Sequence, residues 1–126
     1  MPKHVPDLPG IEPGALPFSQ VVEANGLVFV AGQVGDVPGT ERPVPGGIEG
    51  QTRQMLDNVG RLLRAAGLDY RDVVKATVYL RDFDDFVVYN RVYREYFPEQ
   101  PPTRATVGVN RLVGDYAIEI EVIAAR

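Results

Sequence analysis

The sequence predicts an α+β fold: a single mixed sheet carrying two helices on one face, in the order β-β-α-β-α-β-β. Three observations predict it. An Asn25-Gly26 pair sits between two apolar runs, the strongest short hairpin signal. Two stretches repeat apolar residues at helical spacing, each with one stripe to hide. Between and after those stretches come β-branched runs without breakers.

Residues 1–17 hold five prolines and two glycines and read as an extended arm to a single domain spanning 1–126. FSQVVEANGLVFVAGQV (18–34) then supplies two strands joined at Asn25-Gly26. From Gly35 to Gly47 prolines and glycines dominate, so this segment is a loop. Ile48 to Ala66 places Ile48, Met55, Val59, Leu62, Leu63 and Ala66 on one helical face, with Arg53, Arg61 and Arg64 on the wet side. Gly67 stops this helix, and Leu68 stands where a capping apolar contact is usual. Val73–Leu80 is the third strand. Asp82 is placed to cap a second helix with the apolar face Phe83, Phe86, Val87, Tyr93 and Phe97, ended by Pro98. Beyond Pro101-Pro102 the strands Arg104–Val109 and Tyr116–Ala124 meet at a turn near Gly114-Asp115.

Two helices on one sheet face leave the other face in need of a cover. By alternation that face takes Lys75, Thr77 and Tyr79, and either Arg104 with Thr106 or Glu119 with Glu121. It is too mixed for a core and too aromatic for bulk water, which predicts packing against another subunit.

Composition removes several kinds of chemistry. The 126 residues contain no cysteine, one histidine (His4, in the arm) and one serine (Ser19) outside any nucleophile-elbow context. No metal-ligand spacing and no phosphate loop occur, so neither metal nor cofactor is expected. The formal charge is −4 and the basic residues are scattered, which disfavours nucleic acid. No run approaches the ~18 apolar residues of a membrane span. MPKHVPDLPG lacks the apolar core of a secretory signal, and a cytoplasmic address is expected.

Acid-base and electrostatic chemistry remain, and three features bear on them. Asn90 interrupts the apolar stripe of the second helix, where a buried amide must find partners or destabilise the fold by ~1–3 kcal/mol. It either ties the helix to a loop or lines a pocket. Arg104 opens a strand, offering a rigid charged fork to a carboxylate, with the Thr106 hydroxyl two residues on along the same face. The competing role is a structural ion pair. Glu119 and Glu121 alternate with Ile118 and Ile120 and project from one face, as a solvated stripe or with one of them paired to Arg104.

Around these residues the sequence resembles the RidA/YjgF family of imine and enamine deaminases. The resemblance rests on VFVAGQV (28–34), the segment 51–86, Asn90 within YNRVYREYF, PPTRATVGVNRL (101–112) and IEIEVIA (118–124). It runs from about Phe18 to the end, and its most specific part is the proline-led arginine followed by the Ile-Glu-Ile-Glu strand. It implies a chorismate-mutase-like fold, assembled as a homotrimer with pockets between neighbouring subunits. It implies hydrolysis of reactive 2-imino acids to 2-oxo acids and ammonia, without a cofactor. Arg104 would grip the substrate carboxylate, Glu119 would position the attacking water, and Asn90, Thr106, Phe18 and Gly32 would line the pocket. The chain departs from the family pattern at Phe18, Ala31 and Thr106, where tyrosine, serine and cysteine are usual. These departures favour, as alternatives, a small-carboxylate-binding or other hydrolytic role on the same trimer. A ribonuclease or translation-inhibitor role, described for some relatives, is opposed by the acidic charge.

Overall fold

The computed structural model describes residues 2–126. Five strands form one sheet: β1 (Val21–Ala24), β2 (Leu27–Val34), β3 (Val73–Leu80), β4 (Thr103–Gly108) and β5 (Ile118–Ala125). Two helices, α1 (Gly47–Ala65) and α2 (Phe86–Tyr96), lie between them in sequence. The sheet order is β1-β2-β5-β3-β4. Only β3 and β4 run parallel, and α2 makes the crossover between them. The α+β class, the mixed sheet and the element order are those predicted.

Local chemistry explains the elements. Asn25 (φ 52°) and Gly26 (φ 77°) both take the left-handed conformation that a two-residue hairpin turn requires. Gly67 (φ 82°) ends α1, and the amide of Leu68 reaches back to the carbonyl of Leu63 at 2.8 Å. The apolar stripe of α1 (Met55, Leu56, Val59, Leu62, Leu63) is buried against Val28, Val30, Ile120 and Val122 of the sheet. Each such side chain contributes about 1.5–3 kcal/mol on burial.

The second helix differs from its predicted form. Asp82 caps a short 3-10 turn, Phe83–Asp85, accepting from the amide of Asp84, and α2 begins only at Phe86. Its buried residues are Tyr89, Val92 and Tyr93. Phe83 and Val87 are 52% and 75% exposed, so they do not belong to the apolar face assigned to them. Phe83 precedes the helix, and Val87 lies two residues from Tyr89, about 200° around the axis.

The amino-terminal arm lies along the sheet edge. Backbone hydrogen bonds of 2.9 and 2.8 Å pair His4 with Glu23 of β1, and Leu8 and Ile11 pack on the core. The buried Asn58 of α1 ties down the proline-rich loop through the carbonyls of Val34 and Asp36, at 2.9 and 3.0 Å.

Neither helix covers the far side of the sheet. That side presents Phe29, Lys75, Thr77, Tyr79, Glu119, Glu121 and Ile123, and part of it forms a cavity of about 280 Å³.

Candidate functional site

The register of β4 decides where Arg104 points. In the parallel β3–β4 ladder Arg104 pairs with Ala76 and Thr106 with Val78, and both partners face the helices. Arg104 and Thr106 therefore project towards α2. Glu119 and Glu121 pair with Tyr79 and Thr77 and project from the opposite face. The expected Arg104–glutamate pair does not form within the chain. β3 separates β4 from β5, and the side chains leave the sheet in opposite directions.

Around Arg104 the structure builds a tray. One guanidinium nitrogen donates to Oδ1 of Asn90 at 2.8 Å. The guanidinium carbon stands 4.7 Å from the ring centre of Tyr93, 5.2 Å from Tyr89 and 5.7 Å from Phe86. Among the described residues no carboxylate lies within ion-pair distance of Arg104. Rings and one amide thus hold the cation without neutralising it, leaving most of its donors free. Asn90 is half-buried and serves as the partner of Arg104, rather than tying α2 to a loop.

Thr106, half-buried, adjoins the tray through Tyr89, its Oγ1 2.7 Å from the hydroxyl of that fully buried residue. Burial pushes the Tyr89 phenol up, opposed by the Thr106 hydrogen bond and the charge of Arg104. The Tyr93 phenol, pushed up to about 12 chiefly by burial, has no hydrogen-bond partner among the described residues. None of the three rings was a candidate in the sequence, where Phe86 and Tyr93 read as core and Tyr89 was not singled out. The signal that could have found them is the spacing Phe86, Tyr89, Asn90, Tyr93, which puts all four on one side of a helix.

On the other face, Glu119 sits on β5 between Val34 and Tyr79. It is half-buried, and its carboxyl pKa is raised, first by burial and then by the charge of Glu121. A bulge at Ala31-Gly32 in β2 brings the backbone against it. A Cβ at Gly32 would overlap the Glu119 carboxylate, so only glycine leaves that carboxylate its place. Glu121 is occupied otherwise, accepting from the Tyr79 hydroxyl at 3.0 Å. Phe18 belongs to neither cluster within the chain. It lines a cavity of about 480 Å³ between the arm and β1, with Val5, Leu8 and Ile11. No group of three or more His, Asp or Glu residues converges on a cation site among the described residues.

Fold and site define a class: a small α+β protein with an unneutralised arginine on one side of its sheet and a half-buried carboxylate on the other. Comparison with known proteins places it further. Residues 11–126 match the family described as Endoribonuclease L-PSP. A RutC family protein of Pyrococcus horikoshii is 49% identical over 108 residues, 86% of each chain. The 2-iminobutanoate/2-iminopropanoate deaminase of Homo sapiens is 41% identical over 113 residues, 89% of this chain and 82% of that one. Among solved structures, E. coli TdcF with bound serine matches with a TM-score of 0.83 at 40% identity, over 90% of this chain and 92% of the other. The chain belongs to the RidA/YjgF family.

Proposed function

We propose that the protein hydrolyses reactive 2-imino acids, and the enamines in equilibrium with them, to 2-oxo acids and ammonia. The observation that carries this reading is the caged, charge-unpaired guanidinium of Arg104, a ready receptor for a planar carboxylate. Relatives named as 2-imino acid deaminases support it, as does the serine bound to TdcF.

The imine carbon is already electrophilic, so positioning supplies much of what the reaction needs. Arg104 fixes the carboxylate. A water held by Glu119 attacks the carbon, its proton passing to the carboxylate as the C–O bond forms. The C=N electrons move to the nitrogen, which takes that proton and gives an aminoalcohol adduct. The adduct's hydroxyl proton then passes through the same carboxylate to the nitrogen as the C=O bond forms and the C–N bond breaks, and ammonia leaves. Because the raised pKa makes Glu119 a stronger base than an ordinary glutamate, it suits that exchange.

Since Arg104 and Glu119 lie on opposite faces of one sheet, the reading requires each site to take its arginine from one subunit and its glutamate from a neighbour. A homotrimer with three such sites meets that requirement, and the uncovered face bearing Phe29, Tyr79 and Glu119 is suited to the contact. The acidic charge and dispersed arginines support a small-molecule substrate over nucleic acid, and the absence of cysteine is in keeping with a cytoplasmic setting.

The test is turnover of a 2-imino acid generated in situ by a pyridoxal-phosphate enzyme. Arg104→Ala and Arg104→Lys should both lose about a hundredfold in kcat/KM, since an ammonium lacks the bidentate fork. Glu119→Gln should lower kcat and leave carboxylate binding intact. Parent-like turnover by a folded Arg104→Ala enzyme would show the mechanism to be wrong. A parent that binds 2-oxo acids yet hydrolyses no imine would instead be a carboxylate-binding protein.

A further inference from the structure

The Tyr89–Thr106 pair joins the buried side of α2 to the strand face that carries Arg104. Tyr89 is fully buried, and its hydroxyl makes one contact, to a threonine on the same strand face as Arg104. A phenol is a stronger hydrogen-bond donor than an aliphatic alcohol, its pKa of about 10 lying far below that of a threonine hydroxyl. Either hydroxyl can donate in this bond; when the phenol, the better donor, gives its proton to Oγ1, Thr106 keeps its own for another acceptor. Arg104 and Thr106 are two residues apart on one face, roughly 7 Å along the strand, so both reach a ligand of a few atoms. Tyr89 also contributes its ring to the tray, 5.2 Å from the guanidinium carbon.

We propose that Tyr89 is a positioning residue that sets the Thr106 hydroxyl as a second donor to the carboxylate held by Arg104, so that the ligand is gripped at two points. The inference rests on the reading of Arg104 as the carboxylate receptor. Tyr89 itself touches no substrate; its hydroxyl acts only through Thr106, while its ring, which Tyr89→Phe keeps, supports the guanidinium.

The experiment is calorimetric titration of each variant with 2-oxobutanoate, a 2-oxo acid of the product class, alongside steady-state kinetics and melting curves. Tyr89→Phe keeps the ring and removes only the hydroxyl; Thr106→Val keeps the shape and removes the donor. Each should weaken 2-oxobutanoate binding about five- to tenfold and raise KM to match, with kcat within about twofold of the parent. Thr106→Ser restores a hydroxyl and should bind within about twofold of the parent. The double variant Tyr89→Phe/Thr106→Val should bind no more weakly than Thr106→Val, because the phenol acts only through the threonine. Parent-like affinity in Thr106→Val, or losses that multiply in the double variant, would overturn the proposal. Arg104→Ala separates the two levels of the argument. If it abolishes 2-oxobutanoate binding while Tyr89→Phe and Thr106→Val change nothing, the two-point grip falls and the arginine reading stands. If it binds as the parent does, both fall.

Discussion

Arg104 gains its value from what does not touch it. An arginine meant for structure would sit against a carboxylate, as Arg53 does with Glu95 at 2.9 Å. Arg104 is held instead by three rings and an amide oxygen, which orient the fork and leave its charge available. The arrangement has a cost at Tyr93, whose buried hydroxyl has no partner among the described residues. Tyr93→Phe keeps the ring under the guanidinium and removes the stranded oxygen. It should stabilise the fold by about 1 kcal/mol, read as a higher urea midpoint at unchanged slope. A lower midpoint would mean that the hydroxyl is bonded in the assembled protein. Glu119 is perturbed in the opposite sense to a salt-bridged carboxylate: burial and the charge of Glu121 hold its pKa up. Activity should therefore fade, as pH drops, at a higher pH than an ordinary glutamate would dictate. Glu121→Gln removes the second cause and should shift that acid limb of kcat to lower pH. A limb that stays put or moves up would assign it to another group.

Among the elements, β2 shows how a backbone irregularity serves a side chain. The Ala31-Gly32 bulge carries the strand against Glu119, and glycine is what lets the two coexist. The atom that an added Cβ would strike is the mobile end of a carboxylate. Gly32→Ala should thus displace Glu119 rather than unfold the sheet, lowering kcat about tenfold or more with a melting temperature within a few degrees of the parent. A large loss of stability with kcat preserved would make the glycine structural. The bulge was invisible in VFVAGQV, which reads as an unbroken strand, since bulges follow from cross-strand register and not from local propensity. Elements with strong local chemistry were legible. The Asn25-Gly26 turn, α1 with its Gly67 stop and β3 from Val73 to Leu80 stand where residue type and period put them. The face of β4 was not. Arg104, Ala105, Thr106 and Val107 offer no clean alternation, and only pairing with Ala76 and Val78 turns Arg104 and Thr106 towards α2. For the same reason Asn90 and Arg104 could each be singled out from the sequence, while their hydrogen bond and the rings beneath it could not.

At the scale of the whole molecule, one sheet separates two half-sites. The guanidinium tray belongs to the α2 side at the β4 edge, and the Glu119–Gly32 pair belongs to the open face. No side-chain rotation carries Glu119 through the sheet, so the proposed chemistry demands an assembly in which the open face of one subunit meets the β4 edge of the next. Such a contact is head-to-tail, and the proposed homotrimer closes it into a ring. Light scattering at micromolar concentration should return three times the 13.9 kDa subunit mass. The stronger test is complementation. Arg104→Ala homotrimers have no carboxylate receptor at any site, and Glu119→Gln homotrimers have no water-holding carboxylate, so each alone is nearly inactive. When the two are unfolded together in equal amounts and refolded, subunits distribute at random around the ring. A site is intact when its arginine comes from a Glu119→Gln subunit and its glutamate from an Arg104→Ala neighbour. Each choice has even odds, so about a quarter of the sites should be whole and about a quarter of parental activity should return. A site built within one subunit cannot be repaired this way. Mixed trimers no more active than the two parents' average would therefore place both residues' work, or the reaction itself, elsewhere.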